Sequence, residues 1–260
     1  MNKTLTPERI KRLRLMDNFF MKVFFKGNIE AVQLILRIVL DRSDIVVESV
    51  DVESELSNLE GRNVILDVHA RDGNGEEFDV EIQRASEGAI QQRAGYHLSM
   101  MHTHMLGKGE NFDQLKDAYV IFITETDTIG NNEPISVFET ANIKDHKHFD
   151  DKRHIIYVNG EARCSTTELG RLMEDFFCEN PDDINYPEIR KRIKYLKETE
   201  AGGREMMDIE EEILQEGRSE RNIEVAINLI ELGTVSLEDI AKATGLDIEK
   251  VRELAGKKAV

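Results

Sequence analysis

Two acidic side chains that flank a glycine-rich turn, Asp67 and Glu81, are the residues of this chain best placed to do chemistry. Alternating apolar and polar residues on both sides of Asp72 to Gly75 predict a β-hairpin. A loop formed by Gly73 to Gly75 pairs residues of like character and sets Asp67 opposite Glu81. Directly opposed residues of an antiparallel pair have Cβ atoms about 4.5–5.5 Å apart, so both carboxylates can reach one cation.

The two facing carboxylates repel each other when no cation lies between them. Like charges at this distance raise one pKa and destabilise the fold, whereas a hard divalent ion such as Mg²⁺ prefers oxygen ligands and relieves the repulsion. Paired carboxylates around a divalent ion are typical of sites that cleave phosphodiester bonds. The alternative is a solvated hairpin face with ordinary cross-strand pairs, such as His69–Asp79 and Arg71–Glu77.

The order of elements around these residues resembles the PD-(D/E)XK nuclease superfamily. That order is a helix, a strand, an Asp on a second strand, Glu-x-Gln on a third strand, and another helix. Within the superfamily, the chain resembles the recombination-promoting nuclease/transposase family, and the resemblance covers most of the chain up to about residue 160. The matching segments are Asp17 to Phe24, Asp67, Glu81 to Gln83, Arg93 to Tyr96, and the strand at Ala118 to Thr124.

The resemblance implies an α/β fold, a restriction-endonuclease-like mixed sheet flanked by helices, and Mg²⁺- or Mn²⁺-dependent hydrolysis of DNA. It implies that Asp67 and Glu81 hold the metal and that the backbone carbonyl of Ile82 adds a ligand. Gln83 is implied to orient the attacking water and to contact the scissile phosphate. Gln83 stands where the superfamily has Lys, and an amide cannot act as a base.

Three further residues are weaker candidates for the same site. Asp17 is a candidate metal ligand from the N-terminal helix, with a helix cap or salt bridge as the alternative. Arg93 and Tyr96 are three residues apart and share a helix face. They are candidate DNA contacts, for a phosphate and a base, or they pack on the sheet.

Composition predicts a cytoplasmic protein without a membrane segment. The N-terminus lacks an apolar signal core, and no apolar run is long enough to span a bilayer. Two cysteines without a CxxC pattern support neither a disulfide framework nor a zinc finger. The formal net charge of −17 argues against a protein that coats nucleic acid, so DNA binding is expected to be transient. Local basic clusters, such as Arg190 to Lys197, are candidates to line a DNA cleft or are solvated faces.

The chain is predicted to contain a nuclease-like domain, residues 1–200, and a C-terminal helical appendage, residues 204–260. Ala201 to Gly203 reads as the boundary. Leu237 to Val251 resembles a helix-turn-helix that turns at Gly245, with Ile240 packed against Val251. The second helix of this motif is nearly neutral, which favours protein partners, including a homo-oligomer, over DNA reading.

Two other functions stay open on the sequence alone. One is a catalytically silent nuclease-like module that binds protein, because Gln83 replaces the motif Lys. The other is a DNA-binding regulator that acts through the C-terminal helices.

Overall fold

A computed structural model describes residues 5–58 and 61–256 of the chain. Residues 1–4 and 257–260, at the ends of the two predicted domains, lie outside this described part. The helices are α1 (Pro7–Lys11), α2 (Asn18–Phe25), α3 (Ile29–Leu40), α4 (Gln91–Met105), α5 (Glu168–Phe177), α6 (Pro187–Glu198), α7 (Glu200–Leu232), α8 (Leu237–Thr244) and α9 (Ile248–Gly256). The strands are β1 (Val47–Leu56), β2 (Val64–Asp72), β3 (Glu77–Gln83), β4 (Ala118–Thr124), β5 (Ile135–Phe138) and β6 (Arg153–Asn159).

These strands form one mixed sheet in the order β1-β2-β3-β4-β6-β5. The β1–β2, β2–β3 and β5–β6 pairs are antiparallel, and β4 runs parallel to both β3 and β6. A parallel neighbour requires a crossover, and α4 supplies it between β3 and β4. With helices on its flanks, the sheet has the mixed α/β architecture of a restriction-endonuclease-like fold, as the sequence predicted.

Hydrophobic burial explains why helices cover the sheet. Every residue of β4 is buried, as a continuous apolar run predicts for a central strand. Helix α3 packs against β1 and buries the face that includes Val32 and Leu36. Helix α4 packs against β4, and its Ala94 and Leu98 join a buried cluster with Val120.

The hairpin turn has the predicted loop. The N–H of Asp72 donates to the carbonyl of Glu76, and the Asp72 carboxylate accepts from the N–H groups of Asn74 and Glu76. An aspartate that bonds to the backbone ahead of it fixes a tight turn. Gly75 supplies the positive φ of 83° that this turn requires.

The two glycines near residue 202 lie inside a helix. Helix α7 begins at Glu200 and passes through both glycines. The side chain of Thr199 accepts a hydrogen bond from the Gly202 N–H. A Cβ on Gly202 would lie 2.1 Å from the carbonyl oxygen of Tyr195, so glycine is required for close packing on the end of α6.

The chain divides into two compact units, one up to Gly203 and one from Arg204. In the second unit, Ala226, Ile240 and Val251 form a small buried core. Gly245 ends α8 with a left-handed φ of 70°, which glycine adopts readily. Within the described residues, no helix has both the length and the apolarity needed to cross a bilayer.

Candidate active site

The hairpin strands separate where the candidate metal ligands lie. Strands β2 and β3 pair from Arg71–Glu77 to Val68–Val80, in the predicted register. The sequence predicted that pairing would continue through Asp67 and Glu81, but the described ladder stops one step before them. Beyond this point β2 stays paired with β1, while β3 stays paired with β4.

Carboxylates bridge the gap between the separated strands. The backbone N–H of Asp67 donates to Oε1 of Glu81 at 3.2 Å, and the backbone N–H of Ile82 donates to Oδ2 of Asp67 at 3.3 Å. Each carboxylate therefore takes a backbone donor from the opposite strand. This exchange replaces the ladder bonds and brings the two carboxylates together.

Three side chains converge on Glu81, which is fully buried. The amide Nε2 of Gln83 donates to Oε2 of Glu81 at 3.2 Å, and Nη2 of Arg93 donates to the same oxygen at 2.5 Å. Nδ1 of His97 lies 3.6 Å from Oε1 of Glu81. The site thus holds carboxylate, amide, guanidinium and imidazole groups within one small volume.

Burial and mutual repulsion make these carboxylates hard to ionise. Burial, together with Asp79 and Asp67 nearby, raises the pKa of Glu81 to about 8. Burial also raises the pKa of Asp67, and Asp79 has a pKa well above its usual range because it is buried beside Asp67. A clustered set of acids with raised pKa values favours the binding of a cation.

His69 and Asp79 face each other in the ladder as predicted, but Asp79 is buried, which corrects the interpretation of this pair as solvated. Nε2 of His69 lies 3.2 Å from Glu77 instead, and Asp79 is completely buried. Oδ2 of Asp79 lies 2.8 Å from Nδ1 of His97 on α4. Because His97 of α4 contacts Asp79, this part of the polar face is buried, whereas Arg71 nearer the turn is exposed.

His97 is the site residue whose role the sequence did not predict. No HExxH motif accompanies His97 in the sequence, so the local pattern does not predict a site residue there. One signal was present, since His97 lies four residues after Arg93 and so shares its helix face. Nε of Arg93 donates to Nε2 of His97 at 3.2 Å.

The donor set at this site suits a divalent cation. Asp67 and Glu81 offer carboxylate oxygens from two strands, which are the ligands that Mg²⁺ and Mn²⁺ prefer. Asp79, Glu81 and His97 have possible ligand atoms within 4.8 Å of one another. In this geometry the Nε2 lone pair of His97 accepts from Arg93, so Nδ1 carries the proton and is not free to bind a metal. Asp67 is not a member of this group, and Asp67 and Glu81 stay the ligand pair that the sequence predicts.

Asp17 lies in an ion-pair network at the end of β3. Its Oδ2 accepts from the backbone N–H of Arg14 at 2.8 Å, and its Oδ1 accepts from Nη1 of Arg84 at 3.1 Å. Arg84 also binds Glu125. Asp17 therefore forms the salt bridge that the sequence allowed as the alternative. Its partner is Arg84, the residue after Gln83. Ile82 is buried between Glu81 and Gln83.

A groove of about 860 Å³ opens beside the carboxylates. Arg93 and His97 line it together with Arg62 and Tyr96, and Ile65 and Ile90 add exposed apolar side chains. The ring of Tyr96 is 37% exposed, and its hydroxyl donates to the carbonyl of Arg62 at 2.6 Å. The groove therefore combines two guanidinium groups with apolar and aromatic surface.

Several residues of the basic cluster from Arg190 to Lys197 have a structural role. Arg190 donates to the carbonyl of Ile184, Arg192 donates to that of Val23, and Lys197 donates to those of Leu13 and Glu179. These bonds attach α6 to neighbouring segments. They satisfy backbone carbonyls that would otherwise lack donors.

The chain belongs to the family described as PD-(D/E)XK nuclease family transposase, whose model matches residues 14–231. The match spans the whole sheet and the gap that holds Asp67 and Glu81. No curated protein and no solved structure matches the chain.

Proposed function

We propose that this protein is a Mg²⁺- or Mn²⁺-dependent DNA endonuclease with a role in transposition or recombination. One observation carries the proposal: Asp67 and Glu81 each accept a backbone N–H from the other's strand, so both carboxylates lie in the gap between the two strands. Membership of a nuclease family supports DNA as the substrate. The expected location is the cytoplasm.

Asp67 and Glu81 are the proposed metal ligands, and the carbonyl of Ile82 is a further one. A bound divalent ion would lower the pKa of a water molecule and stabilise the charge that develops on the phosphate. Asp17 is a weaker candidate ligand, because both of its carboxylate oxygens already accept hydrogen bonds. The repulsion between the site's acids supports a cation site here.

Gln83 is proposed to orient the attacking water and to contact the scissile phosphate. Its amide is held by Glu81 on one side and by the turn at Gly88 on the other, where a Cβ would lie 2.1 Å from Oε1 of Gln83. An amide cannot accept the water's proton, so this residue contributes orientation rather than base catalysis.

The groove beside Arg93 and Tyr96 is the proposed path for the DNA strand. Its arginines suit a phosphate backbone, and the exposed ring of Tyr96 suits stacking with a base. Because the chain as a whole carries a net charge of −17, contacts outside this groove would repel DNA. Binding is therefore expected to be transient and to weaken with salt.

The C-terminal helices are proposed to bind protein partners or a second copy of the chain. The exposed residues of α9 include both acidic and basic side chains. Arg252 pairs with Glu249 and Lys250 pairs with Glu253, which leaves few free donors for DNA.

Purified protein incubated with supercoiled plasmid tests the proposal. Relaxed or linear product is expected with Mg²⁺ or Mn²⁺, and none with EDTA. An absence of product with every metal would favour the silent, protein-binding module. DNA binding that requires α8 and α9, without cleavage, would favour the regulator.

A further inference from the structure

The guanidinium of Arg93 is held on three sides inside the proposed active site. Nη2 donates to Oε2 of Glu81 at 2.5 Å, Nε donates to Nε2 of His97 at 3.2 Å, and Nη1 donates to the carbonyl of Gly88 at 3.2 Å. The group therefore lies against a proposed metal ligand, with each of its nitrogens engaged. Its side chain is only 33% exposed.

The hydrogen bond from Arg93 fixes the tautomer of His97. An arginine side chain only donates, so Nε2 of His97 must present its lone pair to Arg93. The proton of a neutral imidazole then lies on Nδ1, which is 2.8 Å from Oδ2 of Asp79. Asp79, His97 and Arg93 form one hydrogen-bonded chain that ends on Glu81.

The burial of Asp79 lowers the free energy of unfolding. The residue is fully buried, and its Oδ1 has no hydrogen-bond partner among the described residues. A buried carboxyl oxygen without a donor costs free energy, which favours a functional reason for the residue. The hydrogen bond from His97 to Oδ2 supplies that reason, because it orients the imidazole that holds Arg93.

We propose that Arg93 is a built-in cation that neutralises Glu81 until a divalent ion replaces it, and that Asp79, acting through His97, is its positioning residue. This inference rests on the proposed function for the identity of the site. A divalent ion on Glu81 would free the guanidinium from this ion pair, and Arg93 would then be available to a phosphate in the groove that it lines. Arg93 thus weakens metal binding and assists cleavage, so its removal has opposite effects on the two.

Metal binding by the full-length protein tests this competition, measured by calorimetry with Mn²⁺ in the absence of DNA at a pH above about 8, where Glu81 is ionised. Arg93→Gln is expected to bind Mn²⁺ about tenfold more tightly than wild type, because a charge-assisted hydrogen bond no longer competes for Glu81. It is expected to cleave plasmid at least about tenfold more slowly. Arg93→Lys keeps the charge but lacks the planar fork that reaches His97 and Gly88, so its Mn²⁺ affinity should lie between the two.

Arg153→Gln is the matched control. Arg153 also donates to α4, at the carbonyl of Gly95 and the hydroxyl of Ser99, but contacts none of the site's carboxylates. Its Mn²⁺ affinity should equal that of wild type. Equal affinity in wild type and Arg93→Gln, or no Mn²⁺ binding by either, overturns the inference. Tighter binding by Arg93→Gln without cleavage by any variant upholds the competition for Glu81, overturns the role of Arg93 in cleavage and rejects the nuclease proposal.

The tautomer of His97 is a second, independent readout. In ¹⁵N-histidine spectra of the metal-free wild-type protein, the signal that disappears in His97→Gln should report a proton on Nδ1. In Asp79→Asn the side-chain amide can donate to Nδ1, and the proton should then move to Nε2 in at least part of the population. A wild-type His97 that carries its proton on Nε2 overturns the positioning role.

Discussion

The backbone N–H of Ile82 donates to the carboxylate of Asp67 at 3.3 Å, across a gap where two antiparallel strands no longer pair. Strand separation usually leaves backbone donors unsatisfied, at a cost in free energy. Here Asp67 and Glu81 satisfy those donors with their side chains. The same bonds hold two carboxylates of raised pKa side by side, and the following tests address that arrangement.

Divalent metal should raise the melting temperature of the protein. The folded chain presents Asp67 and Glu81 together, whereas the unfolded chain does not. A ligand at about 100 times its Kd adds roughly 2.7 kcal/mol to the free energy of unfolding. Thermal melts with Mn²⁺ and with EDTA should differ in wild type and coincide in Asp67→Asn. Coincident melts in the wild type itself would argue against a metal site.

Metal-free protein should lose stability as the pH rises toward about 8. Burial, with Asp79 and Asp67 nearby, raises the pKa of Glu81 to about 8. An unfolded Glu has a pKa of about 4.3, so between these values the folded chain holds a proton that the unfolded chain has released. The free energy of unfolding therefore falls with rising pH in this window and levels off above it.

Thermal melts in EDTA across this pH range check whether stability falls as the pH rises. Glu81→Gln lacks the titrating group and should show a shallower slope than wild type. A wild-type melting temperature that rises between about pH 5 and about pH 8 would contradict the raised pKa.

Gly88→Ala should impair cleavage while the protein stays folded. The new Cβ would lie 2.1 Å from Oε1 of Gln83, so the end of that flexible side chain must move. A displacement of about 1 Å in a catalytic group can reduce the rate about 100-fold. Plasmid cleavage and thermal melts measure the two effects separately.

Gly203→Ala is the matched control for this test, because nothing lies within 4 Å of a Cβ at that helical position. It should cleave normally and gain about 0.5–1 kcal/mol of stability. Normal cleavage by Gly88→Ala would show that the position of Gln83 does not limit the reaction.

Ile240→Ala should unfold the C-terminal unit and leave cleavage intact. Ile240 is fully buried with Ala226 and Val251, and such a truncation costs about 2–5 kcal/mol. Leu232, which is 67% exposed, provides the control Leu232→Ala. Circular dichroism should report lost helix in Ile240→Ala alone. Loss of DNA binding in that variant would instead indicate that these helices read DNA.

Local pattern was sufficient to predict the hairpin. Alternation between apolar and polar residues set the register that the structure shows from Arg71–Glu77 to Val68–Val80. A continuous apolar run identified β4 as a buried strand. Both features depend on residues that are close in sequence.

The environment of the site could not be predicted in the same way. The alternation of the hairpin continues past Val68, so it carries no sign that the strands separate there. Asp79 reads as solvated because the burial comes from α4, whose packing over this face is not encoded in the hairpin. The close packing of Gly202 on Tyr195 is likewise a tertiary contact, which the local sequence pattern does not show.

The central claim, that Asp67 and Glu81 form a metal site for DNA cleavage, is tested most directly by Glu81→Gln. Its matched control is Glu77→Gln, the same substitution on the same face of β3, where the side chain pairs with His69. With supercoiled plasmid and Mg²⁺, wild type and Glu77→Gln should cleave at similar rates. Glu81→Gln should be slower by roughly 100-fold or more while its circular dichroism spectrum is unchanged. Equal cleavage by all three proteins, or none by wild type with any divalent metal, would contradict the claim.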